Sequence, residues 1–364
     1  MALTSSRDVV IDRRAVANKK TRSSRAVLFV AGTIAVAVAA LAMAMWLGGN
    51  LTQSTINGLV IGGTSNLTGW GLPASKLLME SASVGVIGML LGALLLPQEA
   101  DGPSQTARRC LRTASWLGLA WAISTAILLL FSWSDVVAEP VTQLSITQLF
   151  TNTSTTFPGA ADFISSIAVA LVIAVGTTVT WNRWGLLFLL LLACYDLVPM
   201  ALQGHASHGT VLKYSLIVHV IAVSVWVGGL CALLMHMRAE PAQLAAVLPR
   251  FSRIALGCYA AVAASGILAV VLLLGTVPAL WGSRYGVLVL LKSAALIALG
   301  VLGWWHRRHT VGRISGDDRD YGRVRRAFVR LAAAEVVVMV VAIAIAVALS
   351  RTASPDTIVL HGNQ

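Results

Sequence analysis

Residues 204–230 read GHASHGTVLKYSLIVHVIAVSVWVGGL, and three histidines, His205, His208 and His219, sit in or beside a run that is otherwise almost purely apolar. A helix needs roughly 20 such residues to cross the hydrocarbon of a bilayer. This run is long enough, and it has counterparts along the chain. Candidate spans fall at 26–48, 72–96, 115–134, 161–181, 184–203, 210–236, 253–275, 285–305 and 327–349. Hydrophobic residues make up 57% of the 364 and charged residues 12%, where a soluble domain carries about twice that charged fraction. Mean hydropathy is +0.79. Inside lipid every backbone N–H and C=O must be paired within the protein, which leaves helices as the economical way to thread these segments. The expected fold is all-α: a polytopic transmembrane helix bundle of about nine spans. The first span is too long for the apolar core of a signal peptide, and no small-x-small cleavage site follows it.

The formal net charge of +12 is distributed by side rather than gathered in a patch. Counting from the first span, one set of loops and tails holds Arg7, Arg13, Arg14, Lys19, Lys20, Arg22, Arg25, Arg108, Arg109, Arg112, Arg183, Arg238, Arg250 and Arg253. The basic stretch HRRHTVGRISGDDRDYGRVRR (306–326) lies on the same side. The opposite side holds only Lys76, Lys213, Arg284 and Arg351. The positive-inside rule accounts for this asymmetry without a nucleic-acid partner and implies an N-in/C-out topology with the lipid bilayer as the main partner. The cysteines Cys110, Cys194, Cys231 and Cys258 form no CxxC and none lies in an outer loop, which excludes a disulfide framework.

The chain divides into a basic cytoplasmic tail (1–25), about four N-terminal spans (26–183), about five further spans (184–349) and a short extracytoplasmic tail (350–364). Polar groups are sparse in the first set of spans and dense in the second. His205 and His208 fall in the outer loop before the span at 210–236, and His219 falls inside that span. On a continuous helix His208 and His219 are roughly 16 Å apart, too far to share one ion whose ligand bonds are near 2 Å. The spacing suggests an outer site followed by a deeper one, unless Gly204 and Gly209 fold the loop down onto His219. Met200, near His205, adds a thioether, and imidazole with thioether suits copper.

Four ionisable side chains interrupt other spans. Glu80, Asp196 and Lys292 fall, with His219, in the outer halves of their helices, and Glu335 lies mid-span in the last. Such groups are costly in lipid and face the bundle interior, where they pair or line a path. They are expected to form a buried polar layer, with Glu80–Lys292 read equally well as a structural ion pair. Glu335 is read as a relay or, rather better, as a packing partner of a neighbouring helix. At the other end of the span at 210–236, the run CALLMHM places Cys231, Met235 and His236 together as a possible cytoplasmic exit, though a Met-rich helix end is more often packing. Gly228 and Gly229, one turn after Ser224, read as a close helix approach.

These residues resemble a known family. GHASH, HVIAVSVWVGGL, RFSRIALGCYAAVAASGI (250–267), LWGSRYGVLVLLK (280–292) and WWHRR (304–308) are similar, in this order, to the CopD-type copper-resistance domain over roughly 184–349. The resemblance implies an inner-membrane protein that handles copper from the outer side. It carries over His205, His208 and His219 as candidate ligands and Trp226 and Lys292 as pattern positions. Such domains also occur fused to CtaG-like cytochrome-oxidase assembly domains, a second segment not found here. Together with an Arg- and Ala-rich composition, the expected role is copper transport or copper homeostasis in a bacterial plasma membrane, with a copper ion at an extracytoplasmic His/Met site. The expected partner is an extracytoplasmic copper chaperone or a cytochrome-oxidase assembly factor. Neither a GxxxxGK[ST] motif nor a CPx-type motif is present, so the chain is not read as a pump ATPase, and the expected role is not that of an enzyme. The alternatives are a haem-binding membrane redox protein, disfavoured because His219 is the one clearly deep histidine, and an assembly factor that supplies copper to cytochrome oxidase.

Overall fold

The structure is a computed structural model that describes residues 32–33, 35–47, 54–56, 59–61, 66–99, 102–137, 139–145, 147, 157, 159–180, 182–202, 210–238, 240–274, 279–306, 308 and 321–349. A helix lies over each apolar stretch: α1 (Ala35–Leu47), α2 (Asn66–Leu95), α3 (Gln105–Val137), α4 (Ala160–Val179), α5 (Arg183–Leu202), α6 (Thr210–Ala232), α7 (Pro241–Leu274), α8 (Arg284–His306) and α9 (Tyr321–Leu349). Among the described residues, seven helices are long and apolar enough to cross a membrane. The chain is an all-α, multi-pass membrane helix bundle. Two small antiparallel hairpins, Ser54–Ile56 with Leu59–Ile61 and Gln98–Glu99 with Gly102–Pro103, are the strands among the described residues.

Several helices outrun the apolar stretches that announce them. α3 begins ten residues before the expected span, so Arg108, Arg109 and Arg112 are helical rather than loop residues, and Arg250 and Arg253 likewise lie within α7. Hydropathy registers only the hydrocarbon layer, whereas arginine is a good helix former and the ladder of backbone bonds continues through the interface. Helix starts are set by local capping. Ser104 accepts from Ala107 N–H at 3.2 Å ahead of α3, Asn182 from Gly185 N–H at 2.6 Å ahead of α5, and Ser283 from Gly286 N–H at 2.9 Å ahead of α8. In each case a side-chain oxygen satisfies an N–H of the first turn that has no partner within the helix. The Asn182 cap is what separates α4 from α5.

α2 is the hub. It packs on α3 and α6 most extensively, and also on α5, α7 and α9. Of its most apolar window, 67% is buried, against 11% for α7 and 22% for α8. Its contact with α6 is made by glycine. A Cβ on Gly88 of α2 would collide with the backbone of Gly228 on α6, and a Cβ on Gly228 with the carbonyl of Val84. Without side chains the two backbones touch, which in lipid replaces the hydrophobic effect as the source of helix association. Gly118 of α3 meets Ala170 and Ala174 of α4 in a similar way.

α6 and α7 are joined differently, by an antiparallel series of side-chain pairs. The Phe251 ring lies over Gly229, Trp226 stands edge-on to Tyr259 with ring centroids 5.7 Å apart, and His219 meets Ser265. The motif residues from two separate stretches of sequence therefore face one another across a single helix pair. The main core runs through α2 to α7 and includes Phe328, Ala332, Val336 and Met339 of α9. A smaller core gathers Leu41, Ala44 and Met45 of α1, Leu77 of α2, Leu288 of α8 and Ala344, Ile345, Val347 and Ala348 of α9.

Candidate functional site

The site is built on α6. His219 is half-buried, and its Nδ1 lies 2.8 Å from the Ser265 hydroxyl oxygen on α7. One turn earlier on α6, the buried Ser215 hydroxyl donates to the Ser265 carbonyl at 3.2 Å. Two residues at i and i+4 share a helix face, and here both engage one serine of the opposing helix. An imidazole in an apolar bundle would otherwise leave its N–H unpaired, at a cost of about 1–3 kcal/mol.

Lys292 of α8 stands within electrostatic reach of both the Glu80 carboxylate on α2 and the His219 imidazole on α6. Lys76, one turn before Glu80, also acts on that carboxylate. The smaller apolar core adjoins this group: Leu77 precedes Glu80 by three residues and Leu288 precedes Lys292 by four, each on the same helix face as its partner. Three helices thus bring an imidazole, an ammonium and a carboxylate within electrostatic reach of one another through Lys292, with hydrocarbon on one side, and α7 adds Ser265. Attraction between Lys292 and Glu80 offsets part of the cost of holding each in lipid.

The other residues singled out from sequence lie elsewhere. Asp196 is buried on α5 and accepts a 2.6 Å hydrogen bond from the Ser166 hydroxyl of α4, so it is held by that neighbouring helix rather than by Lys292. Glu335 is buried in α9 beside the main-core residues Ala332 and Val336. His205 and His208 lie outside the described residues, and Met200 sits near the end of α5 with its side chain outside them. Cys231, Met235 and His236 do not form a common ligand set. After Ala232 the helix widens into a π-turn, Leu233–Met237, which breaks the i, i+4 relation expected of Cys231 and Met235. Met235 is 54% exposed, Met237 is buried, Cys231 packs against the main core, and His236 Nε2 lies 3.0 Å from the Thr113 hydroxyl of α3. Among the described residues, no group of three or more His, Cys, Asp or Glu side chains is placed to hold a metal ion.

Ser265, Ser215 and Tyr259 are the members that reading the sequence missed. Ser265 sits in the small-residue run AVAASG of α7, where a serine looks like another packing residue. A usable signal was present: Ser215 and His219, four apart, require a polar partner on whichever helix runs antiparallel to α6.

Comparison with known families covers most of this framework. Residues 62–214 match the family described as Copper resistance protein D-like, N-terminal domain, and residues 245–349 match the family described as Copper resistance protein D. The likeness therefore begins well before residue 184, and α2 to α5 are part of it. His205 and His208 fall within the first match, Ser265 and Lys292 within the second, and His219 between the two. No curated protein and no solved structure matches the chain. Two matched segments in the order and positions of one helix bundle, with the residues of its polar cluster drawn from both, lead to one conclusion: the chain belongs to the copper resistance protein D family.

Proposed function

We propose that the protein transports copper across the bacterial plasma membrane, or controls copper there, by way of a His/Met site on the extracytoplasmic side. The observation that carries this reading is His219, a hydrogen-bonded imidazole set among apolar residues of α6 within electrostatic reach of Lys292, in a chain of a copper-resistance family. Neutral imidazole tolerates low dielectric far better than a charged ligand, which favours histidine over aspartate at that depth. His205, His208 and Met200 would collect the ion from an extracytoplasmic copper chaperone or a cytochrome-oxidase assembly factor, and His219 would accept it within the bundle.

Replacing His219 with Ala is expected to abolish copper-dependent function while sparing expression and membrane insertion. Replacing His205 or His208 alone should only weaken it, since each is partly covered by the other. Copper tolerance and cellular copper content are the readouts. His219→Ala cells that match the parent in both would reduce His219 to a packing residue.

This reading needs an N-in/C-out arrangement of about nine spans, supported by the placement of the arginines. A single cysteine engineered into 135–160 should be labelled by an impermeant reagent from outside the cell, and one in 310–320 should not. The reverse pattern would turn the histidine loop toward the cytoplasm and overturn the proposed route.

A further inference from the structure

The hydrogen bonds around His219 determine which of its two nitrogens is free. Ser265 Oγ lies 2.7 Å from the Ala261 carbonyl and 3.1 Å from the Val262 carbonyl of its own helix, and 2.8 Å from His219 Nδ1. A hydroxyl has one proton, and a carbonyl oxygen can only accept. With that proton directed at the α7 backbone, as serines inside helices commonly arrange, the hydroxyl turns a lone pair toward the imidazole. Nδ1 is then the donor. A neutral imidazole carries a single N–H, so Nε2 keeps an uncommitted lone pair. The Ser215 bond to the Ser265 carbonyl fixes the register of α6 on α7 and holds this arrangement in place.

We propose that Ser265 is a positioning residue, one that fixes His219 as the Nδ1–H tautomer and leaves Nε2 as the ring atom presented to a soft metal ion. The proposal rests on the reading of His219 as a copper ligand. A partner on the far nitrogen orients a histidine ligand and raises its basicity, and losing such a partner typically lowers metal affinity about 10- to 100-fold. Its function cannot be read from its place in a small-residue run.

The full-length protein in detergent, with ¹⁵N-labelled histidine and no metal, tests it. The His219 resonances, assigned by their loss in His219→Ala, should show a protonated, pyrrole-type Nδ1 and an unprotonated, pyridine-type Nε2. Ser265→Ala should mix or reverse the tautomers and weaken Cu(I) binding, measured by competition with a chromogenic chelator, about 10- to 100-fold. Ser265→Thr, which keeps the hydroxyl, should restore both. A pyridine-type Nδ1 in the parent overturns the proposal, as does a tautomer indifferent to Ser265→Ala. The expected tautomer, together with Cu(I) affinity unchanged in His219→Ala, would instead overturn the copper reading and leave the Ser265–His219 assignment standing.

Discussion

α2 and α7 both pack on α6, and they do so by opposite means. Against α2, α6 presents Gly228, and the backbones touch. Against α7, it presents His219 and Trp226, and the helices meet through polar and aromatic side chains. The two also differ in burial: α2, which packs on α3 and α5 as well, has 67% of its apolar window inside the bundle, against 11% for α7. Backbone apposition leaves no room for functional groups, whereas a contact made by side chains can hold an imidazole in a chosen orientation. α6 therefore has a structural face and a chemical face: of the stretch HVIAVSVWVGGL, Gly228 sits on the first and His219 and Trp226 on the second.

Adding one methyl group to each side would break this comparison if it is wrong. Gly88→Ala places a Cβ inside the Gly228 backbone, where nothing can move aside without separating the helices. It should destabilise the protein by about 3 kcal/mol, at the upper end of ordinary overpacking. Gly266→Ala on α7 meets nothing within 4 Å and should change stability by no more than about 1 kcal/mol, in the favourable direction. Unfolding of the two variants in mixed micelles measures both. Equal losses would mean that α2 and α7 contribute alike.

A smaller effect sharpens the comparison, because Lys292 of the more open α8 acts electrostatically on Glu80 of the buried α2. Glu80→Gln leaves Lys292 facing His219 without its carboxylate and should cost about 1–3 kcal/mol. Combining it with Lys292→Met should cost less than the sum of the single changes, with a coupling of about 1 kcal/mol in a double-mutant cycle. Lys76 also acts on Glu80, which keeps the coupling modest. Strict additivity would show that the two charges do not interact.

Much of the fold was legible before the structure. A helix overlaps each of the expected apolar stretches, and among the described residues seven are long and apolar enough to span, because hydrocarbon thickness and the need to pair every backbone group act on one segment at a time. The close approach read at Gly228–Gly229 has its partners in Gly88 and Phe251. The polar groups were harder to place. Glu80, Lys292 and Asp196 were expected at similar depths in their helices, yet Asp196 is bound by Ser166 on α4 while Lys292 acts electrostatically on Glu80. Cys231 and Met235 looked like neighbours until the π-turn displaced them, and nothing local in LLMHM announces such a turn.

By itself the sequence determined that this is a membrane bundle of the copper resistance protein D family, and that a histidine interrupts one of its helices. Depth along a helix follows from counting residues. Only the tertiary structure decided which groups meet. His219 pairs with Ser265, 46 positions away, and Asp196 with Ser166, 30 away. A helix apolar on every side has no polar face from which its orientation can be read. The rotation of α6, and with it the partner of its histidine, is set where Gly228 lets α2 come close enough for the two backbones to touch.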